Sequence, residues 1–313
     1  VVEPSTGKIL AMVSSPNFDP NTVEEQWSWL TSEENTTQNM MNHATQGTYP
    51  PGSTFKLITL LEYIRENPDT WQDFHYTCTG TYTNGDYVVN CHDGVAHGEL
   101  DIYGILGMSC NGAFDTIAQT LNSTKWQKLA EDFGYNQSDR SQVDFAYKKS
   151  HFDIASDDSV WSRMQLAIGQ GTTTVTPLLN LMMYAAIAND GVMMTPYLVD
   201  HYLDANGNVV EQTKPKALRS VCTKAEAELM DEFLTYVITN GTAAAGGSQY
   251  ARVSGKTGSA QYDSTKNYHA WFCGYGTNDV SEIAVCVMIE KGGAGGIVAA
   301  PVAGQIFDYY FSR

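Results

Sequence analysis

The chain has 313 residues, 42% of them hydrophobic and only 17% charged; this is enough apolar material for one large domain or two lobes and argues against disorder. A formal net charge of −17 argues against nucleic acid as a partner, because phosphate binding needs a positive footprint. The sequence contains no run of about 18 apolar residues, so no helix of it is expected to cross a membrane.

Taken in chain order, VVEPSTGKILAMVSSP (1–16) reads as two strands joined by the turn Pro4-Ser5-Thr6-Gly7. It begins without Met and inside a predicted strand, so upstream residues are expected. Ser5-Thr6-Gly7-Lys8 matches the pattern Ser-x-x-Lys, but on a turn and a strand start nothing holds hydroxyl and amine on one face. The second copy lies in YPPGSTFKLITLLEY (49–63). Pro50-Pro51-Gly52 halts any preceding element, and Phe55, Leu57, Ile58, Leu60, Leu61 and Ile64 suit a largely buried helix. Ser53 then stands at the helix start, with Lys56 one turn along on the same side. Desolvation among apolar neighbours lowers a lysine pKa and makes it a candidate base. Serine is also an ordinary N-cap, so this motif alone does not decide.

Residues 98–121 read as two helices broken near Met108-Ser109-Cys110-Asn111-Gly112, followed by an amphipathic helix over 123–134. The polar stretch 135–160 has no assigned element. Helical pattern returns at 161–168, 177–189 and 224–239; strands follow at 250–262, 268–275 and 282–290, and a helix closes the chain. With strands at both ends and helices between, the expected fold is α+β. Its antiparallel sheet takes the N-terminal hairpin and the C-terminal strands (1–40 and 241–313) and is flanked by helices. A large helical lobe (roughly 41–240) is inserted between those segments, and a site is expected in the cleft.

Three elements would line that cleft: Ser53-Thr54-Phe55-Lys56 at a helix start, Ser109-Cys110-Asn111 at a helix break, and Lys256-Thr257-Gly258-Ser259 on a strand. Acyl transfer needs such groups: a nucleophilic hydroxyl, a base beside it, oxyanion donors, a proton relay, and a cation with hydroxyls for a carboxylate. A P-loop at Gly255-Lys256-Thr257 fails, because the glycine required five positions earlier is Tyr250. Ser-x-Asn alone is weak, since Ser15-Pro16-Asn17 matches it too. The ordered trio is specific, and it matches the signature of penicillin-binding proteins and serine β-lactamases.

With these motifs, and with EPSTGKILAMVSSPNFDPN, IGQGTTTVTPLLNLMMYAAIANDG and HAWFCGYG, the chain resembles the transpeptidase domain of class B penicillin-binding proteins over nearly its whole length. The resemblance implies Ser53 as nucleophile, Lys56 as general base, Ser109 as proton relay and Asn111 as substrate ligand. It implies that Lys256 tunes the site, that Thr257 and Ser259 bind the substrate carboxylate beside Gly258, and that the Ser53 and Ser259 N–H groups form the oxyanion hole. The reaction it implies is D,D-transpeptidation of peptidoglycan stem peptides without a catalytic cofactor, with β-lactams acylating the same serine. It further implies the outer face of the cytoplasmic membrane, an N-terminal anchor outside this chain, and cell-wall machinery as partner. A D,D-carboxypeptidase, a β-lactam sensor domain and a serine β-lactamase share the trio; the last lacks a convincing Glu-x-x-x-Asn element here.

Cys78, Cys91, His97 and Cys110 are separated by 13, 6 and 13 residues. Three thiolates and an imidazole match a closed structural zinc site, and some class B members carry zinc behind the Ser-x-Asn loop with partly different ligands. The competing reading is a Cys78–Cys91 disulfide; His92 is a further but less well spaced ligand. Cys222, Cys273 and Cys286 read as plain core residues.

Overall fold

The computed structural model describes residues 1–138, 143–265 and 267–313. Ten helices are described: α1 (Val23–Leu30), α2 (His43–Gln46), α3 (Lys56–Glu66), α4 (Ile102–Gly107), α5 (Asn111–Ala118), α6 (Ser123–Asp132), α7 (Val160–Ala167), α8 (Pro177–Ala188), α9 (Lys224–Asn240) and α10 (Gly295–Phe311). Eleven strands accompany them: β1 (His75–Cys78), β2 (Thr81–Asn84), β3 (Tyr87–Asn90), β4 (Gly98–Asp101), β5 (Val192–Met194), β6 (His201–Leu203), β7 (Val209–Gln212), β8 (Ala217–Ser220), β9 (Arg252–Gln261), β10 (Tyr268–Thr277) and β11 (Glu282–Ile289).

The long strands make one antiparallel sheet in the order β11-β10-β9, which leaves β9 as an edge. Its register sets Lys256 opposite Cys273, Gly258 opposite Trp271 and Ser259 opposite Ala270. The N-terminal hairpin contracts to a tight turn, Glu3 N–H donating to Lys8 O at 2.9 Å. It joins the sheet through one bridge, in which Val2 and Ala284 exchange bonds of 3.0 and 2.8 Å along the outer side of β11. The α+β class stands, with the N-terminal contribution smaller than a full pair of strands.

Helices cover the sheet. α8 is apolar nearly all round, as a helix buried between layers must be. It starts with Thr176 capping Leu179 N–H and with Pro177 in the first turn. α9 opens with a capping box in which Thr223 and Glu226 satisfy each other's backbone donors. On the far side Phe307 of α10 meets Phe272 of β10 edge to face, with ring centroids 6.3 Å apart. The stretch predicted to be helical between the sheet-forming segments also carries β1–β8, paired as β1–β4, β2–β3, β5–β8 and β6–β7. These strands have three or four residues each and are mostly exposed, so little of a buried alternation marked them. Part of the unassigned stretch 135–160, residues 139–142, lies outside the described residues. Its described flanks are held by Asn136 N–H to Ser150 O (2.9 Å) and a two-bond bridge between His151 and Thr174.

Candidate active site

Pro50, Pro51 and Gly52 feed a 3₁₀ turn, Gly52–Phe55, which runs straight into α3. Ser53 is half-buried on that turn, and Lys56, the first residue of the α-helix, is completely buried. The turn is caged. Thr54 Oγ1 donates to Pro51 O (2.9 Å) and accepts from Asn180 Nδ2 (3.0 Å), Tyr184 OH donates to Thr54 O (2.9 Å), and Trp271 Nε1 donates to Pro50 O (3.1 Å). Gly52 N–H donates to Gly169 O at 2.9 Å. Gly169 has φ +68°, and a Cβ there would fall 2.3 Å from Gly52 O, so no other residue fits. β9 closes in from the other side: a Cβ on Gly258 would stand 3.0 Å from Pro51 O and 3.2 Å from Thr54 Cγ2. The strand backbone therefore lies in contact with the serine turn.

The second motif falls at the break between α4 and α5. Ser109 takes φ +54°, a conformation costly for a residue with a side chain, and Cys110 N–H returns to Ile105 O (2.9 Å). This kink aims the loop at Lys56. Lys56 Nζ donates to Asn111 Oδ1 (2.7 Å) and Ser109 O (2.8 Å), with Ser109 Oγ at 3.3 Å. Asn111 is oriented in turn by its Nδ2 donating to Asn90 O (2.8 Å) at the end of β3. Burial pulls the Lys56 ammonium down to about 8; Cys110, Cys91 and Asp115 pull it back up. Asp115, one turn along α5 from Asn111, is fully buried with neither oxygen hydrogen-bonded among the described residues, and burial raises its pKa well above the usual carboxylate value.

The third motif lies on β9. Lys256 is fully buried and donates to Thr257 O (3.0 Å); burial, then the neighbouring charge of Lys56, pushes its pKa well below the usual lysine value. Two lysines in one dry site disfavour each other's charge, which favours a neutral amine between them. Thr257 Oγ1 meets Thr242 Oγ1 at 3.0 Å, and Ser259 Oγ accepts from Gly295 N–H, the first residue of α10, at 3.1 Å. The positive end of that helix dipole adjoins the Ser259 hydroxyl, an arrangement that favours negative charge there.

The structure thus brings Ser53, Lys56, Ser109, Asn111 and the 256–259 strand together. The other Ser-x-x-Lys copy is elsewhere: Lys8 Nζ makes a solvent-facing ion pair with Asp200 (2.8 Å). Sequence reasoning missed the cage of Thr54, Asn180, Tyr184 and Trp271, and the buried Asp115. The asparagine in the middle of the apolar run of α8 was the one available signal.

Behind the second motif, the ligand atoms of Cys78, Cys91, His97 and Cys110 all lie within 4.8 Å of one another. Cys78 Sγ is 3.7 Å from Cys91 Sγ and 3.3 Å from His97 Nδ1, and Cys91 Sγ is 3.8 Å from Cys110 Sγ. A disulfide needs about 2.05 Å, whereas the sulfur–sulfur edge of a tetrahedron with zinc–sulfur bonds of about 2.3 Å is about 3.8 Å. The donor set and its spacing fit a tetrahedral zinc site, while all three cysteines are free thiols here. The Cys91 thiol is pulled down to about 4, first by the Cys110 thiol and then, against burial, by the N–H groups of Gly112 and Asn111; the same bond pushes Cys110 up. His92 is outside the cluster, half-exposed, its ring 5.7 Å from that of Tyr268.

A turn-borne hydroxyl, a desolvated lysine one turn further along and a hydroxyl-bearing edge strand define the serine acyl-transfer class of site. The penicillin binding protein transpeptidase domain family matches residues 1–308, and the chain belongs to that family. It is 28% identical to the peptidoglycan D,D-transpeptidase PbpA of Mycolicibacterium smegmatis, over 96% of this chain and 64% of that protein. It is also 28% identical to the peptidoglycan D,D-transpeptidase MrdA of Acinetobacter baumannii, over 99% and 50%. The chain therefore spans about half to two thirds of the length of these relatives. The ceftriaxone acyl-enzyme complex of penicillin-binding protein A from M. tuberculosis superposes with a TM-score of 0.87 at 26% identity, covering 98% of this chain and 72% of that one.

Proposed function

We propose that residues 1–313 form one transpeptidase domain, with the lobe at roughly 41–240 inserted between the sheet-forming segments, and that it cross-links peptidoglycan stem peptides through a Ser53 acyl-enzyme. The observation that carries this is the lysine contact: Lys56, fully buried one turn after Ser53, has its Nζ held by Ser109 O and Asn111 Oδ1 at 2.8 and 2.7 Å. A neutral amine keeps both of those donor bonds and turns its lone pair to a hydroxyl. Lys56 then takes the Ser53 proton as the oxygen attacks the penultimate D-Ala carbonyl. The N–H groups of Ser53 and Ser259 stabilise the oxyanion. Ser109, 3.3 Å from Lys56 Nζ, passes the proton to the departing D-Ala amine. Asn111 holds the substrate amide, Thr257 and Ser259 bind its carboxylate, and Lys256 supplies the nearby electrostatics. Deacylation by the amine of a second stem forms the cross-link. β-Lactams acylate the same serine.

Cys78, Cys91, His97 and Cys110 would hold a zinc ion, which supplies structural cross-linking and no catalytic chemistry. Cys110 separates Ser109 from Asn111, so fixing its sulfur fixes both. The domain acts outside the cytoplasmic membrane, working with cell-wall machinery. The test is incubation with a stem peptide ending in D-Ala-D-Ala and an amine acceptor. A cross-linked product that disappears in Ser53→Ala is expected; release of D-Ala with water as the only acceptor would make the domain a carboxypeptidase, and no turnover would make it a sensor.

A further inference from the structure

Cys273 on β10 and Cys286 on β11 are direct partners in the sheet register, and their Sγ atoms are 3.2 Å apart. Facing residues on antiparallel strands have Cα atoms about 4.5–5.5 Å apart, inside the range of about 4.4–6.8 Å that a disulfide spans. This sulfur contact is shorter than the 3.7 and 3.8 Å edges of the Cys78–Cys91–Cys110 cluster. Among the described residues no further His, Cys, Asp or Glu joins the pair as a third ligand, so its geometry suits a bond between two sulfurs better than a shared ion. Cys273 is wholly buried, whereas Cys286, on the outer strand, is partly exposed. The same register puts Lys256 opposite Cys273 on the other side, so Lys256, Cys273 and Cys286 form one row across the sheet.

We propose that Cys273 and Cys286 are a redox-modification site that closes to a cross-strand disulfide, locking the outer strand to the strand that backs Lys256. The oxidant is an external disulfide, of the small-molecule or thiol-oxidase class. The Cys286 thiolate attacks one of its sulfurs and releases one thiolate. Cys273, deprotonated, then attacks the Cys286 sulfur of the mixed disulfide and releases the second. The protein loses two S–H bonds and gains one S–S bond, the oxidant is reduced by two electrons, and the two protons end on its thiols. Attack begins at the more accessible sulfur. Burial holds the Cys273 thiol well above its usual pKa, which makes the second step slow in the folded protein. Supply of an oxidant in the cell rests on the extracytoplasmic location proposed above; the test brings its own.

Zinc-loaded protein is incubated with glutathione disulfide, denatured in an alkylating agent and mapped by mass spectrometry, beside Cys286→Ser and Cys273→Ser. The expected result is a linked Cys273–Cys286 peptide in wild type only, with the other four cysteines alkylated, and a thermal midpoint that rises on oxidation in wild type and stays unchanged in Cys286→Ser. Both cysteines recovered alkylated, or a glutathione adduct that persists on Cys286 without resolving, would overturn the proposal. Penicillin acylation measured on the same samples keeps this outcome separate from the transpeptidase reading.

Discussion

Lys56 Nζ and Asn111 Oδ1 stand 2.7 Å apart although 55 residues separate them in the chain. That one bond couples the serine turn to the helix break, and Asn111 Nδ2 extends the coupling to Asn90 O and so to the cysteine cluster behind it.

The acid limb of acylation follows Lys56. Burial lowers its pKa to about 8, and only the neutral amine can take the serine proton. The rate of acylation by penicillin therefore rises with pH and levels off above about 8. Lys56→Met removes the base and the limb together, with an expected loss of about 10²–10⁴-fold, the usual scale for general base catalysis. Stopped-flow rates across the pH range check both.

Metal removal should act at a distance. With zinc bound as proposed, chelation would free Cys110, and with it Ser109 at φ +54° and Asn111. Thermal midpoint and acylation rate are expected to fall together and to recover with added zinc. Metal analysis far below one ion per chain, with a Cys78–Cys91 bridge in peptide maps, would contradict the zinc assignment.

The serine cage gives a stability prediction that leaves the chemical groups intact. Tyr184→Phe removes the side-chain donor to the buried Thr54 O. The expected cost is about 0.5–1.5 kcal/mol, read by denaturant unfolding, with the Ser53 adduct still forming.

Much of this site was legible in the sequence because its residues sit at element boundaries. Pro50-Pro51-Gly52 and the break at Ser109-Cys110-Asn111 announce themselves through turn chemistry, and the long helices and strands through their periodicity. Tyr184 and Trp271 were not legible, since an aromatic residue in an apolar run looks like core whether or not its polar tip holds a backbone carbonyl. Asp115 was hidden for a similar reason: nothing in GAFDTIA says which turn of α5 faces Lys56. The small strands β1–β8 escaped because short, exposed pairs carry little hydrophobic pattern. The register of Cys273 against Cys286 needs the pairing of two strands, which spacing alone does not give.

Acid stability offers a check on the packing of α3 against α9. Arg65 Nε and Nη2 donate to the two Glu226 oxygens at 2.6 and 2.9 Å. Burial works against the Glu226 carboxylate, but Arg65 and the Thr223 N–H outweigh it, and its pKa is lowered. A carboxylate with a depressed folded-state pKa adds stability above its unfolded value, about 4.3, and loses it as pH falls through the folded value. Arg65→Met should lower stability at neutral pH and flatten its dependence below about pH 4.3, as urea midpoints across that range would record.

The central claim, that Ser53 is the nucleophile, is tested most directly by intact-protein mass spectrometry after incubation of the zinc-loaded protein with a penicillin. The account predicts a stable adduct of one drug mass on the wild type, mapped to the Ser53 peptide, and none on Ser53→Ala. An unmodified wild type, or an adduct that survives in Ser53→Ala, would contradict it.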